Sequence, residues 1–296
     1  MTRAIDEIEI LNLVDGNVTQ GRLLGEAGYS ALVKVTYDDS SKFTFLLDAS
    51  SSAIALAHNM VKLDKVLTNV KMIVLSHGHW DHVGGLLDTL NLIGGKPPVL
   101  CHPDALIPKT FTSDDGKKHE VGSQKYFTES KLRSKTEVIT SRKPYRISDG
   151  ILTTGEVPRS NSFEKLTGNL LKMTTTLGGN EVLDPINDDL SVIFQLKDGS
   201  VVILAGCCHA GIVNTVTHTV DITGSSSIIG IVGGFHLHDA SNERLTKTIE
   251  HLQEYPLSTV APCHCTGLRG RAILMYTFGD QFKDIGVGSV IKFTSN

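Results

Sequence analysis

Four potential ligands fall within six positions: His77, His79, Asp81 and His82, in the order H-x-H-x-D-H. Neutral imidazole and carboxylate are donors that suit borderline divalent ions, so the pattern points to zinc, iron, manganese or nickel. An apolar run precedes it. Alternation at a strand end can aim His77 and His79 the same way, and a tight turn can bring Asp81 and His82 to the same mouth. Two donor pairs this close can serve two adjacent metals. The plain alternative is a polar surface turn, which does not explain four ligand types beside Gly78, Gly84 and Gly85.

The elements that must position these residues follow from periodicity. Ile8–Val14 is an apolar run closed by Asp15-Gly16. Ala31–Thr36 and Phe43–Leu47 flank a polar Asp38-Asp39-Ser40-Ser41 turn, which predicts a hairpin. Ile54, Leu56 and Met60 recur near helical spacing, predicting a helix over 53–63. Met72–Leu75 is the apolar strand that opens into the histidine motif. A helix follows over 86–92, stopped by Gly94-Gly95 and Pro97-Pro98, then a short strand at Val99–Cys101. In the second half, Ser191–Leu196 and Val201–Ala205 flank the turn Lys197-Asp198-Gly199. Ile228–Val232 reads as a buried strand, 243–255 as a helix through Leu245, Ile249 and Leu252, and Thr259–Ala261 as a last short strand. Strands with interleaved helices make this an α/β protein. His236 also ends a strand, and strand ends on one edge carry ligands or substrate contacts in such sheets. His58, His102, His119, His218 and His251 are scattered and read as structural or exposed.

At 296 residues the chain can bury a substantial core without disulfides. It reads as a single domain over 1–296 carrying an inserted polar segment at 102–150. That segment holds 10 Lys and Arg against 7 Asp and Glu, a local +3 in a chain of net charge -4. A solvated insertion accounts for it. A sharper alternative is a lid that brings positive charge over an anionic substrate. The net negative charge argues against broad nucleic-acid binding. No apolar run is long enough to span a bilayer. Acids interrupt the first apolar run, so no signal peptide is expected, and five scattered cysteines are a poor disulfide framework. A cytoplasmic protein is the expectation. Nothing resembles a G-x-S-x-G elbow or a phosphate loop.

The segment Ser76–Gly85, SHGHWDHVGG, resembles the signature of the metallo-β-lactamase superfamily. The resemblance implies a four-layer αβ/βα sandwich with its metal site at one edge, between the two sheets. His77 and His79 would hold a first ion, Asp81 and His82 a second. Further ligands would arrive from later strand ends. Where the superfamily often has a histidine, Gly155-Glu156-Val157-Pro158 has Glu156, which can ligate or be a plain surface acid. Where it usually has a bridging aspartate, Gly206-Cys207-Cys208-His209 has Cys207, with His209 two residues on. Thiolate and imidazole are both good donors, and His209 is the favoured one, since a buried cysteine is more often packing. His264, in Pro262-Cys263-His264-Cys265, matches a ligand of the second ion. The C-H-C run lacks the C-x-x-C spacing of a separate zinc knot.

Further segments narrow the resemblance: Ile10–Asp15, Leu47–Ser50, Thr154–Arg159, Gly206–Ile212, Gly233–Leu237 and Pro262–Gly267. Together they are similar to the dihydropteroate-synthase-like group of the superfamily. Its named activity is 7,8-dihydropterin-6-ylmethyl-4-(β-D-ribofuranosyl)aminobenzene 5'-phosphate synthase. That implies an enzyme with one or two divalent transition metal ions, zinc foremost. It would join a pterin-methyl diphosphate to an aminobenzene acceptor and release diphosphate. Arg159 would suit phosphates, and Asp81 could both ligate and move a proton. The competing reading is a phosphodiesterase or lactonase using a metal-activated water. A non-catalytic, metal-bearing ligand sensor is a third, which the intact H-x-H-x-D-H disfavours. In either enzyme reading the partner is a small molecule, with neither nucleic acid nor membrane involved.

Overall fold

A computed structural model describes residues 2–295. Two large sheets face each other. One has seven strands in the order Val290–Thr294, Ile5–Val14, Ser30–Tyr37, Lys42–Leu47, Ile73–Val74, Val99–Cys101 and Val138–Thr140. The other has six, in the order Thr259–Cys263, Ile228–Gly234, Val201–Ala205, Ser191–Gln195, Ile151–Thr153 and Arg146–Ser148. Both expected hairpins are present, with Val33 opposite Phe45 in one and Ile193 opposite Ile203 in the other.

Three apolar clusters build four layers. Between the sheets lie Ile8, Val33, Val35 and Phe45 from one and Val192, Phe194, Val202 and Leu204 from the other. Outside the first sheet, Leu46, Ile73 and Leu75 pack on Leu56 and Met60 of helix Ile54–Lys62 and on Leu86 and Leu90 of helix Leu86–Ile93. Outside the second, Val201, Ile203 and Ile231 pack on helices Ile212–Thr223, Asn242–Leu252 and Gly267–Phe278. This is the αβ/βα sandwich.

Two of those helices carried little sequence signal. Ile212–Thr223 follows a buried loop and is rich in threonine, a modest helix former. Its N-terminus is held by the buried Glu164 carboxylate, which accepts from the backbone N–H of Val213 and Asn214 at 2.9 and 2.8 Å. That partner lies about fifty residues away and cannot be seen locally. Gly267–Phe278 leaves Leu268, Met275 and Tyr276 exposed, which blurs its apolar stripe.

Segment 102–150 is divided among three sheets. Val138–Thr140 closes the edge of the first sheet and Arg146–Ser148 that of the second. Lys109–Thr112 and Lys118–Glu120 join Met173–Leu177 and Asn180–Leu183 in a separate four-stranded sheet. Pairing between 109–112 and 173–175 ties this small sheet to a part of the chain outside the polar segment.

The ring of Phe45 stacks on that of Phe194 across the sandwich, with centroids 6.2 Å apart and planes 27° apart. Both are fully buried. Phe194→Ala should therefore cost about 3–5 kcal/mol of stability, measured by urea unfolding. A loss under about 1 kcal/mol would show that the two sheets do not depend on this contact.

Candidate metal centre

The chemistry gathers at one edge of the sandwich. Strands Lys42–Leu47 and Ile73–Val74 run parallel in one sheet; Val201–Ala205, Ile228–Gly234 and Thr259–Cys263 run parallel in the other. Their C-terminal ends release Asp48, His77, Cys207, His236 and His264 toward a common point. Four non-glycine residues there sit in the left-handed backbone region: Asp48, Cys208, His236 and His264, with φ of 59°, 55°, 45° and 49°. Such conformations are costly, persist where surrounding contacts enforce them, and cluster at functional sites.

His77, His79 and His209 form one nest. His77 Nε2 lies 2.9 Å from His79 Nδ1 and 3.2 Å from His209 Nε2. The Ser76 hydroxyl donates to Asp48 Oδ2 at 2.7 Å, so its lone pair can accept the His77 Nδ1 proton at 3.0 Å. That leaves the His77 Nε2 lone pair facing its neighbours. Burial drives the pKa of all three rings below the ordinary imidazole value, with the neighbouring histidines adding to it for His77 and His209. Neutral rings this close present lone pairs to one another.

Asp81, His82 and His264 form a second nest. His82 Nε2 is 3.2 Å from His264 Nε2. Asp81 Oδ2 lies 3.7 and 3.5 Å from the same two atoms. The opposite nitrogen of His82, Nδ1, is 2.7 Å from Asp48 Oδ2, a contact that directs Nε2 into the nest. Burial disfavours protonated His82, yet the Asp48 and Asp81 carboxylates outweigh it and raise its pKa to about 9. Burial likewise opposes ionised Asp81, but His82, His264 and His79 hold its carboxyl below the usual range. His264 is lowered by burial and by His82. Cys207 Sγ lies 3.3 Å from His82 Nε2 and groups with His77 and His82 as well as with His209 and His236. It therefore stands between the two nests.

Residues at a distance hold the loops. Asp188 accepts from the Gly78 backbone N–H at 2.8 Å and from Lys109 Nζ at 2.9 Å, and Lys109 also donates to Asp184 at 2.8 Å. The adjacent Asp189 accepts from the backbone N–H of His209. Burial raises Asp189 to about 7. One short stretch thus clamps both ligand loops. A side chain at Gly206 would run into Ser76, so glycine is required for the Asp48–Ser76 pair to reach its place.

These residues fit a metal. The donors of each nest lie within 4.8 Å of one another. The Asp48 and Asp81 field that holds a proton on His82 favours a cation equally well.

Two expected ligands or contacts lie elsewhere. Glu156 accepts from His102 Nε2 at 2.9 Å and from Arg142 at 2.7 Å, so a histidine read as incidental and a lid arginine engage it. Arg159 is set behind His209, reaching its carbonyl at 3.4 Å and Asn187 at 3.5 Å. The charge expected of a lid is also paired internally: Arg142 with Asp104, Lys118 with Glu181 and Arg133 with Glu129. His236, in contrast, is buried with both ring nitrogens unpartnered, 4.3 Å from His209 between centroids. Burial and His238 depress its pKa to about 3.

A cavity of about 480 Å³ opens over the nests. His79, Asp81, Cys207, His209, His236 and His264 form its polar floor, and Trp80, Val121, Leu170 and Met173 an apolar wall. Among the described residues, no Lys or Arg lines it. All five cysteines are free, and among the described residues no helix is long and apolar enough to cross a membrane.

Asp48→Asn should weaken metal binding about 10–100-fold, the usual cost of losing a carboxylate behind a ligating histidine. Competition with a chelator of known affinity checks this, with circular dichroism confirming the fold. Unchanged affinity would deny Asp48 that role.

The chain is 30% identical over 293 residues to the 7,8-dihydropterin-6-methyl-4-(β-D-ribofuranosyl)-aminobenzene-5'-phosphate synthase of Methanocaldococcus jannaschii, covering 98% of each protein. It is also 30% identical over 281 residues to an uncharacterised protein of that organism, covering 93% of this chain and 98% of the other. Among solved structures it is similar to Tm1679, a metal-dependent hydrolase of the β-lactamase superfamily. The TM-score is 0.78 at 25% identity, over 97% of this chain and 100% of the other. The family model for the metallo-β-lactamase superfamily matches residues 30–264, and the chain belongs to that superfamily.

Proposed function

We propose that the chain is a metal-dependent synthase that joins a pterin-methyl diphosphate to a ribofuranosyl-aminobenzene phosphate. The observation that carries this is the cavity: a floor of potential metal donors, an apolar wall that includes the Trp80 indole, and no Lys or Arg among its described lining residues. The relative that matches nearly end to end is named for the product of that reaction. About 480 Å³ lies within the range of small-molecule sites and accommodates flat rings.

His77, His79 and His209 would hold one divalent ion, and Asp81, His82 and His264 a second, with Cys207 facing both. A mixed imidazole, carboxylate and thiol set suits zinc best. Bound divalent ions supply charge neutralisation to a leaving diphosphate. In the reaction, a nucleophilic atom of the acceptor forms a bond to the pterin methylene carbon. The bond from that carbon to the diphosphate oxygen breaks, and its electron pair leaves with diphosphate. The acceptor then loses a proton. Asp81, held ionised at the cavity floor, is placed to receive it. Trp80, Leu170 and Met173 would orient the rings and exclude water. His236, kept neutral, can exchange hydrogen bonds with substrate without adding charge.

A second reading, hydrolysis, is supported by the similarity to Tm1679. The two separate in one assay. Metal-loaded protein is given the pterin-methyl diphosphate with and without the aminobenzene acceptor, beside a panel of phosphodiesters, lactones and β-lactams. Diphosphate release that requires both substrates is expected. Rapid hydrolysis of a panel member, with no acceptor-dependent release, would overturn the synthase. Trp80→Ala should raise KM for the ring-bearing donor roughly 3–10-fold, the loss of one aromatic contact, with a smaller effect on kcat. The chain has a single tryptophan, so quenching of its fluorescence reports ring binding directly.

A further inference from the structure

The five cysteines divide into two kinds. Cys101, Cys208 and Cys263 are each embedded in one of the three apolar clusters. Cys207 and Cys265 instead line the cavity. The donor atoms of Cys207, His264 and Cys265 lie within 4.8 Å of one another, the spacing of ligands around one ion. The sulfur group shares His264 with the second nest, and Cys207 Sγ is also 3.3 Å from His82 Nε2 of that nest.

The backbone makes room for this arrangement. A Cβ at Gly234 would lie 2.7 Å from Cys265 Sγ and 3.3 Å from the Cα of Cys207, so a side chain there would displace the thiol. The left-handed backbone of His264 turns the chain where strand Thr259–Cys263 ends, and both His264 and Cys265 line the cavity beyond it. His264 donates its backbone N–H to Asp15 Oδ2 at 3.1 Å, which fixes the turn. Cys265 is only partly buried and accessible from the cavity.

We propose that Cys207 and Cys265 are thiolate ligands of the second ion, joining His264, His82 and Asp81, with Cys207 placed between the two nests. This rests on the reading of the cavity as a metal centre and adds two sulfur donors to it. Each thiol would give up its proton as the ion binds, with no change of oxidation state. The consequence is selectivity. Soft thiolates favour zinc, cobalt or ferrous iron, whereas magnesium, calcium and manganese prefer carboxylate, carbonyl and water. The second position would then refuse the hard ions that an all-oxygen neighbour set accepts.

Cobalt(II) titrated into the metal-free, full-length protein tests this by absorption, without any assay of activity. A thiolate-to-cobalt charge-transfer band should appear as the second equivalent binds, beside the weaker ligand-field bands. Cys265→Ser should reduce the band, and Cys207→Ser should reduce it further. In either variant, zinc affinity at the second position should fall by more than the roughly 10–100-fold that loss of an outer-shell partner costs. Since Cys265 is partly exposed, its variant keeps the test open should Cys207→Ser not fold. Ellman's reagent gives an independent readout: two fewer reactive thiols in the zinc-loaded protein than in the metal-free one. Two cobalt ions bound with ligand-field bands alone would overturn the thiolate assignment and leave the metal centre standing. Failure to bind cobalt at all would overturn both.

Discussion

The crowding of buried, neutral imidazoles at one point is the constraint on which the site depends. His77, His79 and His209 meet at 2.9–3.2 Å in a place where burial keeps all three neutral. His77 and His82 donate their outward Nδ1 protons to Ser76 and Asp48, which turns the Nε2 lone pairs of these two rings inward. A cation is what makes such a gathering favourable. The left-handed residues, the glycine at 206 and the aspartates at 188 and 189 all keep the nitrogens together when local preference would separate them. Each costs conformational freedom, and the two packed sheets supply the rigidity that sustains it.

The two nests are supported differently. The first is almost wholly imidazole and is steadied from the small-sheet side, through Lys109, Asp184 and Asp188 to Gly78. The second carries the acidic field of Asp48 and Asp81 and is steadied from the N-terminal side, where Asp15 receives the His264 backbone. Cys207 stands at their junction in the position where a bridging carboxylate is usual. A carboxylate could offer an oxygen to each of two ions, whereas the Cys207 thiol would offer a single sulfur donor. The second sulfur, at Cys265, lies on the side of the second nest.

How much of this was legible in the sequence depended on range. His77, His79, Asp81 and His82 could be read from spacing because a strand end and one turn suffice to bring them together. His209 and His264 were legible through the resemblance of Gly206–Ile212 and Pro262–Gly267 to superfamily ligand turns. Asp48 ends a strand in the same way, but a lone aspartate after Leu46-Leu47 looks like any turn residue, and its partner Ser76 is twenty-eight positions away. Lys109 reads as a solvated cation in a polar segment, yet it is 1% exposed, because two aspartates beyond residue 180 neutralise it. In segment 102–150 composition shows the excess charge but not its partners, such as Asp104 and Glu156 for Arg142. Cys265 stands in a C-H-C run without knot spacing, and its neighbour in space, Cys207, comes from a different strand end.

Those internal pairings leave the cavity with a definite electrostatic character. Its acidic side chains, Asp81 and Asp239, face it directly, while Arg142, Lys109 and Arg159 are turned to other partners. A polyanion entering the metal-free cavity would meet like charge and no fixed counter-charge, in surroundings where buried electrostatics are poorly screened. Any compensating positive charge at the floor would have to come from a bound ion, since the side chains there offer imidazole, carboxylate and thiol donors. The wall of Trp80, Val121, Leu170 and Met173 depends on no ion. It can receive an apolar ring whether or not the floor is charged. The apolar wall and the titratable floor are thus separate parts of one cavity, so a molecule with a flat ring and an anionic group could address both at once.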